Sequence, residues 1–451
     1  MKKLGTIFLV FTFAALTSMS LFAGGGSQGS SGTQAVVPAP KSPAEITGEI
    51  SYWTAWSAQA AKWVTEFNKI YPNIKVNAIQ YSNNPEGNLK VNASLMAGQE
   101  IDVLLSYNYF NFDQRATTNL FYDLTSFKER DKVDFIAEWG LERKTNGKIF
   151  GIPATGNSDK IFFNKKMFAD AGIKIPETWT MDEYIAIAEK LTSGSGASKI
   201  YGTSDMHSGY LYWSRFARGV LGSNYFYNAQ KASNFDNPAF AQSLQYKYDM
   251  EEVKKIQFPY LEYKASGMQN PDALMSGRIA MTVCTAYISR WLVDTEKYPR
   301  DFQVGILPMP LMSGSGQNYN DGIYYFSFLS ASSRTKYPEA AWEFMKWMAT
   351  KGSNNFAEAG HLPMWKQADK DAIVNIMFGK DAAKVIDVEA FKKHFLNFQG
   401  ATYIDDIQIA YPAIEEIHRT EMEYVMTGEK TVKDALATMK VEADKVIREA
   451  K

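Results

Sequence analysis

The chain has 451 residues, of which 45% are hydrophobic and 22% are charged, and its formal net charge is −1. This length exceeds what one hydrophobic core usually supports, so we expect two domains. Nothing in a net charge so close to zero suggests a partner such as nucleic acid or an anionic membrane surface.

The first residues carry the pattern of a secretory signal peptide. Lys2 and Lys3 form a positive region, residues 4–16 are almost entirely apolar, and Ala23 ends a short cleavage-like segment. Residues 1–23 are therefore predicted to be a signal peptide, because the apolar run is shorter than the ~20 residues that a membrane anchor needs. Residues 24–47 are rich in Gly, Ser, Ala and Pro and are predicted to form a flexible tether.

The next segment alternates between strand and helix patterns. Strands are predicted at residues 49–54, 74–79 and 101–105, and helices at residues 58–71 and 92–97. Such alternation predicts a parallel sheet with covering helices.

The stretch at residues 147–192 (GKIFGIPATGNSDKIFFNKKMFADAGIKIPETWTMDEYIAIAEKLT) predicts two strands and two helices. The strands are expected at residues 149–152 and 161–164. The first helix should end at Gly172 in a left-handed stop, and Thr180 should open the second helix through a capping box.

The remaining chain adds three predicted strands and two predicted helices. The strands are expected at residues 278–285, 303–309 and 321–330, and the helices at residues 237–255 and 337–348. The only cysteine, Cys284, falls in the first of these strands, so the chain can form no internal disulfide and offers no thiol for a lipid after the signal peptide.

Several of these segments resemble those of a known family in their amino-acid sequence and in their order along the chain. They are the stretch at residues 147–192, FNKIYPNIKV, LMAGQEIDVLL and LMSGRIAM. Together they resemble the bacterial extracellular solute-binding proteins of family 1, the sugar-type, maltose-binding-protein-like receptors of ABC importers. The resemblance covers nearly all of the chain after the signal peptide.

The resemblance implies an α/β fold of two lobes, the type II periplasmic binding protein fold, with a ligand cleft between the lobes and a hinge of crossing segments. Crossings are expected near residues 155–158, 320–323 and 362–366. Lobe I would then comprise residues 48–156 and 322–364, and lobe II residues 157–321 and 365–451. A hinge of this kind allows closure by a few backbone torsions.

Candidate ligand-binding residues follow from a rule for α/β lobes, in which ligands bind at the carboxyl ends of strands. The residues selected by that rule are Trp56, Ser57, Ser106, Tyr107, Asn108, Tyr109, Asn157, Asp159, Tyr287 and Trp291. The family resemblance adds Tyr210, Trp213, Asp321 and His361. Tyr287 lies near the place where sugar-binding relatives put a stacking tryptophan.

Some of these residues have ordinary structural alternatives. Trp291 lies one helical turn beyond Tyr287 and would also serve as packing, and Asp159 would also serve as a strand cap. Asp321 would serve the hinge alone, and residues 106–109 would form a surface loop.

The chemistry of the set suits a neutral polyol. Aromatic faces cover the apolar side of a sugar ring, while amide and hydroxyl groups pair with its hydroxyls. The resemblance therefore implies a monomeric, freely soluble periplasmic receptor that binds a mono- or oligosaccharide and delivers it to a membrane ABC permease. Arg215 and Arg218 keep an acidic sugar open as an alternative, and a polyamine or peptide is another.

An enzyme is poorly supported by the sequence. The four histidines are in no metal or catalytic spacing, and neither a phosphate-binding loop nor a cysteine pair for zinc is present, so no cofactor or metal is predicted. A secreted carbohydrate-active enzyme would need two carboxylates ~5–10 Å apart across a cleft. Asp159 and Asp321 are the candidates for that pair.

Overall fold

The computed structural model describes residues 39–205 and 212–450. The strands are β1 (Gly48–Thr54), β2 (Ile74–Gln80), β3 (Val103–Tyr107), β4 (Ile152–Asn157), β5 (Lys160–Asn164), β6 (Met281–Cys284), β7 (Val304–Leu307), β8 (Ile323–Ala331), β9 (Leu362–Pro363) and β10 (Thr402–Tyr403). The α-helices are α1 (Ser57–Asn68), α2 (Pro85–Ala97), α3 (Tyr109–Thr117), α4 (Thr125–Arg130), α5 (Phe135–Trp139), α6 (Lys165–Asp170), α7 (Met181–Leu191), α8 (Tyr212–Leu221), α9 (Pro238–Tyr248), α10 (Tyr260–Ser266), α11 (Asn270–Met275), α12 (Ser289–Leu292), α13 (Gln317–Asn320), α14 (Pro338–Met348), α15 (Lys370–Phe378), α16 (Ala382–Val385), α17 (Val388–Phe391), α18 (Tyr411–Met426) and α19 (Val432–Glu449).

The larger sheet has seven strands in the order β2-β1-β3-β8-β4-β9, with β10 beside β8. β1 pairs in parallel with β2 and with β3, as the strand and helix alternation predicted. β8 enters the middle of the sheet antiparallel to β3 and β4. The sheet is therefore mixed, and the prediction of a parallel sheet is confirmed for its first three strands.

The smaller sheet has three strands in the order β6-β5-β7, and β5 is antiparallel to both neighbours. The chain leaves the larger sheet after Asn157 and enters the smaller one at Lys160, then returns between Leu307 and Ile323. A separate core of buried residues, including Phe163, packs on the smaller sheet. Each sheet thus has its own layer of helices and its own apolar interior.

Local signals at helix ends were read correctly from the sequence. The Thr180 hydroxyl accepts a hydrogen bond from the Glu183 backbone N–H, and the Glu183 carboxylate accepts one from the Thr180 backbone N–H, which forms the predicted capping box. Gly172 has φ 62° just after α6, as a left-handed stop requires. Gly98 ends α2 in the same conformation.

Several strand boundaries differ from the prediction; β6, for example, covers Met281–Cys284 rather than residues 278–285. β3 begins at Val103 rather than at residue 101, because the Asp102 carboxylate accepts a hydrogen bond from the Ser51 backbone N–H at 2.9 Å and holds the chain before the ladder starts. β4 begins at Ile152, where the predicted strand was expected to end. The predicted tether also ends early, since Ile46 is buried and the Ala44 carbonyl accepts a hydrogen bond from Asn73.

A buried group of charges lies among the helices near the smaller sheet. Lys247 Nζ is 3.1 Å from Asp205 Oδ1 and 3.1 Å from Glu251 Oε2, and all three side chains are at most 4% exposed. Burial opposes the charge on Lys247, but the two carboxylates outweigh it and raise the pKa of the ammonium. Burial raises the pKa of Glu251 as well, although Lys247 counteracts it.

We expect the Lys247→Met variant to lose about 3–5 kcal/mol of unfolding free energy, because it leaves two buried carboxylates without their cation. Urea unfolding followed by circular dichroism measures this loss. The control is Lys254→Met, which removes an exposed pair with Glu189 and should change stability by less than about 1 kcal/mol. Equal losses in the two variants would contradict the prediction.

Candidate functional site

A cavity of about 460 Å³ is formed by elements of both sheets. It lies where β1, β3 and β4 of the larger sheet and β6 of the smaller sheet reach their carboxyl ends. We call it the smaller cavity. Its lining residues are Ala55, Trp56, Asn83, Tyr107, Asn157, Arg215, Thr285, Tyr287, Arg290, Trp291, Tyr324, Phe326 and His361.

One wall of the smaller cavity is aromatic and belongs to the larger sheet. The ring of Trp56 lies 4.9 Å from Tyr107 and 4.4 Å from His361, and His361 stacks on Phe326 at 5.5 Å. Burial and, to a lesser extent, the charge of Arg290 together lower the pKa of His361 to about 3. His361 therefore presents an uncharged ring at neutral pH.

The opposite wall belongs to the loop that follows β6. Tyr287 and Trp291 meet edge to face at 5.6 Å, and Trp291 Nε1 donates to Asp272 at 3.3 Å. The two walls touch at Gly360, whose φ is +78°. A Cβ added there would lie 2.8 Å from Tyr287 Cα, so only glycine permits this approach.

Polar groups complete the lining of the smaller cavity. Asn157 ends β4, and its side-chain oxygen accepts a hydrogen bond from the Ser158 backbone N–H at 3.1 Å. Thr285 is 2% exposed, and its Oγ1 has no hydrogen-bond partner within the described residues. A buried hydroxyl left unpaired costs about 1–3 kcal/mol, so Thr285 marks a place where a polar ligand group would be stabilised.

A second cavity of about 670 Å³ adjoins the first. We call it the larger cavity. It shares Asn83, Arg215, Tyr324 and Phe326 with the smaller cavity. Its other lining residues are Asn84, Pro85, Asn88, Leu89, Asn92, Asn108, Tyr109, Phe110, Asn111, Gln114, Arg218, Asn224, Tyr225, Phe226, Tyr227, Tyr325, Asp405, Ile407, Gln408, Tyr411, Pro412 and Glu415. Amides dominate the side that comes from the larger sheet, whereas tyrosines and two carboxylates come from the opposite side.

Arg215 lines both cavities and Arg218 lines the larger one, and carboxylates compensate their charges. Arg215 Nη1 is 2.8 Å from Asp159 Oδ2, and Arg218 Nη2 is 2.6 Å from Asp405 Oδ2. Both guanidinium groups lie against the ring of Tyr324, at 5.4 and 5.8 Å from its centroid. This arrangement fixes Tyr324 in the shared wall.

The structure brings most of the sequence-predicted site residues to these cavities. Trp56, Tyr107, Asn157, Tyr287, Trp291 and His361 line the smaller cavity, and Asn108 and Tyr109 line the larger one. Asp159 lies behind Arg215 in a small gap that Tyr403 also lines. Tyr210 lies outside the described residues.

Ser57 and Ser106 line neither cavity. Ser57 Oγ donates to Gln80 Oε1 at 2.7 Å at the start of α1. Ser106 lies inside β3, because that strand ends two residues later than predicted, and its Oγ accepts a hydrogen bond from Arg115 Nη1 at 3.0 Å.

Trp213 and Asp321 also lie elsewhere. Trp213 is 1% exposed and stacks on His418 at 4.5 Å. Asp321 Oδ1 is 3.2 Å from Lys160 Nζ and 3.1 Å from His394 Nδ1, at the return from the smaller sheet to the larger one. Both side chains therefore stabilise the protein interior in the present arrangement.

Several lining residues were missed by reasoning from the sequence. Tyr324 and Phe326 alternate along β8 and face the cavity, a period-two pattern that was available in the segment IYYFSF. Asn83 follows β2, so the rule of strand carboxyl ends would have selected it. Thr285 belongs to the loop after β6 that the same rule selects, whereas nothing in the local pattern of Arg290 distinguishes it from a structural residue.

Two sheets, each with its own helices, and a cavity at the strand ends between them define a two-lobe solute-binding architecture. The chain matches the bacterial extracellular solute-binding protein family over residues 51–355 and belongs to that family. Both the family resemblance and the predicted fold are thereby confirmed.

Individual relatives agree with this assignment. The chain is 24% identical to the multiple sugar-binding protein of Streptococcus mutans, over 65% of this chain and 68% of the relative. It is 28% identical to the arabinooligosaccharide-binding protein of Bacillus subtilis, over 45% of this chain and 47% of the relative. The structure of an ABC substrate-binding protein from Listeria monocytogenes in complex with cycloalternan superposes with a TM-score of 0.71 at 22% identity, over 89% of this chain and 99% of that chain.

Two further properties of residues 39–205 and 212–450 bear on function. Every helix in these ranges is too short or too polar to span a lipid bilayer. The same ranges contain no group of three or more histidine, cysteine or acidic side chains that is suited to holding a metal ion.

We expect the Ser106→Ala variant to lose about 1–3 kcal/mol of unfolding free energy, because the guanidinium of buried Arg115 loses one of its hydrogen-bond acceptors. Urea unfolding checks this value. Ser57→Ala, which removes a more exposed hydrogen bond, serves as the control and should cost less than about 1 kcal/mol. A stable Ser106→Ala protein would show that this hydroxyl has no structural role.

Proposed function

We propose that this protein binds a mono- or oligosaccharide in the cleft between its two lobes and delivers it to the membrane permease of an ABC importer. The observation that carries the proposal is the smaller cavity, which is lined by aromatic side chains of both walls and by Thr285, whose hydroxyl has no hydrogen-bond partner within the described residues. Aromatic faces cover the apolar side of a sugar ring, and buried hydroxyls pair with its polar edge. The names of the Streptococcus and Bacillus relatives support the same class of solute.

The proposed lobes are residues 48–156 with 322–364, and residues 157–321 with 365–451. The distribution of β1 to β9 between the two sheets supports this division. β10 departs from it, because this short strand at residues 402–403 pairs with β8 of the larger sheet. Closure of the lobes would give the permease a signal, provided that the solute binds the closed form better than the open one.

The proposed location is the periplasm, reached through a signal peptide at residues 1–23 that carries no cysteine for a lipid. Membership of an extracellular family supports export. The proposed partners are a sugar and the permease, with the receptor acting as a monomer and without nucleic acid.

The alternatives find less support in the site. A glycoside hydrolase would use Asp159 and Asp321 as its carboxylate pair, but each is committed to a cation, Arg215 and Lys160 respectively. Burial opposes ionisation of Asp321, yet His394 and Lys160 outweigh it and lower its pKa, whereas a general acid needs a raised one. A polyamine would need carboxylates, and the lining of the smaller cavity contains none.

A thermal-shift screen of the purified protein against neutral sugars, uronates and polyols tests the proposal. A sugar that binds only the folded state should raise its stability by about 2.7 kcal/mol at roughly 100 times Kd. The Tyr287→Ala variant should lose this shift, because it removes a ring from the cavity wall. Tyr337→Ala, at a tyrosine 39% exposed and outside both cavities, should keep it. No shift with any compound would contradict the proposal.

Closure of the two walls depends on Gly360. We expect Gly360→Ala to weaken binding of a sugar found in that screen by at least about tenfold, because the added Cβ separates the walls and lowers the population of the closed form. Isothermal titration calorimetry measures the effect.

The matched control for this variant is Gly172→Ala. Gly172 has φ +62° with no atom near the added Cβ, so it carries the same backbone strain without a clash. Its sugar affinity should remain unchanged. Equal affinities for the two variants would show that the contact at Gly360 plays no part in closure.

A further inference from the structure

The charges around the smaller cavity are unbalanced. Two of its lining residues, Arg215 and Arg290, are cations, and none is an aspartate or a glutamate. His361 contributes no charge at neutral pH, since burial lowers its pKa to about 3. The net charge at the smaller cavity therefore depends on which of the two arginines pairs with a carboxylate outside the cavity lining.

Among the described residues, Arg215 has such a partner and Arg290 has none. Arg215 Nη1 is 2.8 Å from the carboxylate of Asp159. Within the described residues, Arg290 makes no ion pair: its Nε donates to the Tyr287 carbonyl at 3.4 Å, and its guanidinium lies 5.3 Å from the Tyr287 ring and 5.4 Å from the Trp291 ring. The aromatic rings orient the guanidinium without neutralising it.

The surroundings make this uncompensated charge costly. Loss of solvent lowers the pKa of Arg290, so the protein destabilises the cation instead of stabilising it. Its field also reaches across the cavity, because it contributes to the lowered pKa of His361 on the opposite wall. An anionic group in the cavity would relieve both effects.

We propose that the solute of the smaller cavity carries a carboxylate, as a uronic acid unit does, and that Arg290 binds this carboxylate. The inference rests on the sugar-binding function proposed above and specifies its chemical class. A guanidinium matches a planar carboxylate with two parallel hydrogen bonds. Thr285 and Asn157, on other parts of the lining, are left to pair with the sugar hydroxyls.

A carboxylate fits the charge balance better than a phosphate does. One uncompensated arginine neutralises one negative charge, whereas a sugar phosphate brings nearly two at neutral pH. A phosphate would therefore leave a buried excess of negative charge beside the aromatic walls.

Titration calorimetry with matched sugars tests the inference. The pairs are glucose with glucuronate and galactose with galacturonate, each as the monosaccharide and as a disaccharide, and glucose 6-phosphate is the third anion. The uronate of at least one pair should bind about tenfold or more tighter than its neutral partner, as a charge-assisted hydrogen bond implies. The preference should weaken with added salt.

Arg290→Gln should remove this preference by lowering the ratio of uronate affinity to neutral-sugar affinity about tenfold. Arg290→Lys should retain part of it, because the charge remains and the planar fork is lost. Arg334→Gln removes the same charge from an exposed site outside both cavities and should leave the preference intact. The melting temperature of each variant without sugar verifies folding. Replacing Arg290 breaks no ion pair with residues 39–205 or 212–450.

The outcomes separate the two proposals. Equal binding of uronates and neutral sugars, with no effect of Arg290→Gln, would overturn the carboxylate assignment and leave the sugar receptor standing. Tighter binding of the sugar phosphate than of any uronate would also overturn it. Failure of every sugar to bind would overturn the receptor function and this inference together.

Discussion

The burial of Lys160 is the constraint on which the two-lobe arrangement depends. Its side chain is fully buried at the first residue of β5, just after the chain leaves the larger sheet, and solvent loss lowers its pKa. An ammonium there is tolerated only beside a partner, and Asp321 supplies it from the segment that returns to the larger sheet. Ser158 Oγ also donates to the Gly322 carbonyl at 2.6 Å, so the two crossing segments are joined at adjacent points. Because both crossings are held together, the loops that follow β4 and β6 are brought to opposite sides of one cavity.

Charged groups next to the Lys160–Asp321 pair also position residues of the site. Asp159 immediately precedes Lys160, and its carboxylate holds Arg215 against Tyr324, which lies on β8 two residues after the return crossing. The segment that contains Asp159 and Lys160 thus positions Tyr324, which lines both cavities, and also joins the two crossing segments. Asn157, at the end of β4, faces the smaller cavity from the same segment.

Local physics explains which parts of the fold could be predicted from the sequence. The capping box at Thr180 and the left-handed stop at Gly172 depend on a few neighbouring residues, and the parallel order of β1, β2 and β3 follows from their alternation with helices. The bounds of β3 do not follow in this way, since the Asp102 carboxylate that delays its start is bonded to Ser51, distant in sequence. That shift of two residues is why Ser106 was expected in the cleft and lies in the sheet.

The same distinction applies to the site. Trp56, Tyr287 and His361 could be predicted as site residues because strand ends and sequence motifs of the family mark their positions. Both of these signals are local. The ion pair between Asp159 and Arg215, and the lack of one at Arg290 in the part of the chain that the structure describes, are properties of the assembled fold that no spacing in the sequence encodes. The two cavities consequently differ in character, with an uncompensated cation beside the smaller one and the carboxylates of Asp405 and Glu415 beside the larger one. A solute long enough to enter both cavities would pass Tyr324 and Arg215, which line both of them. Its anionic end would be favoured next to Arg290 in the smaller cavity. Its uncharged hydroxyls would be favoured among the amides and carboxylates of the larger cavity.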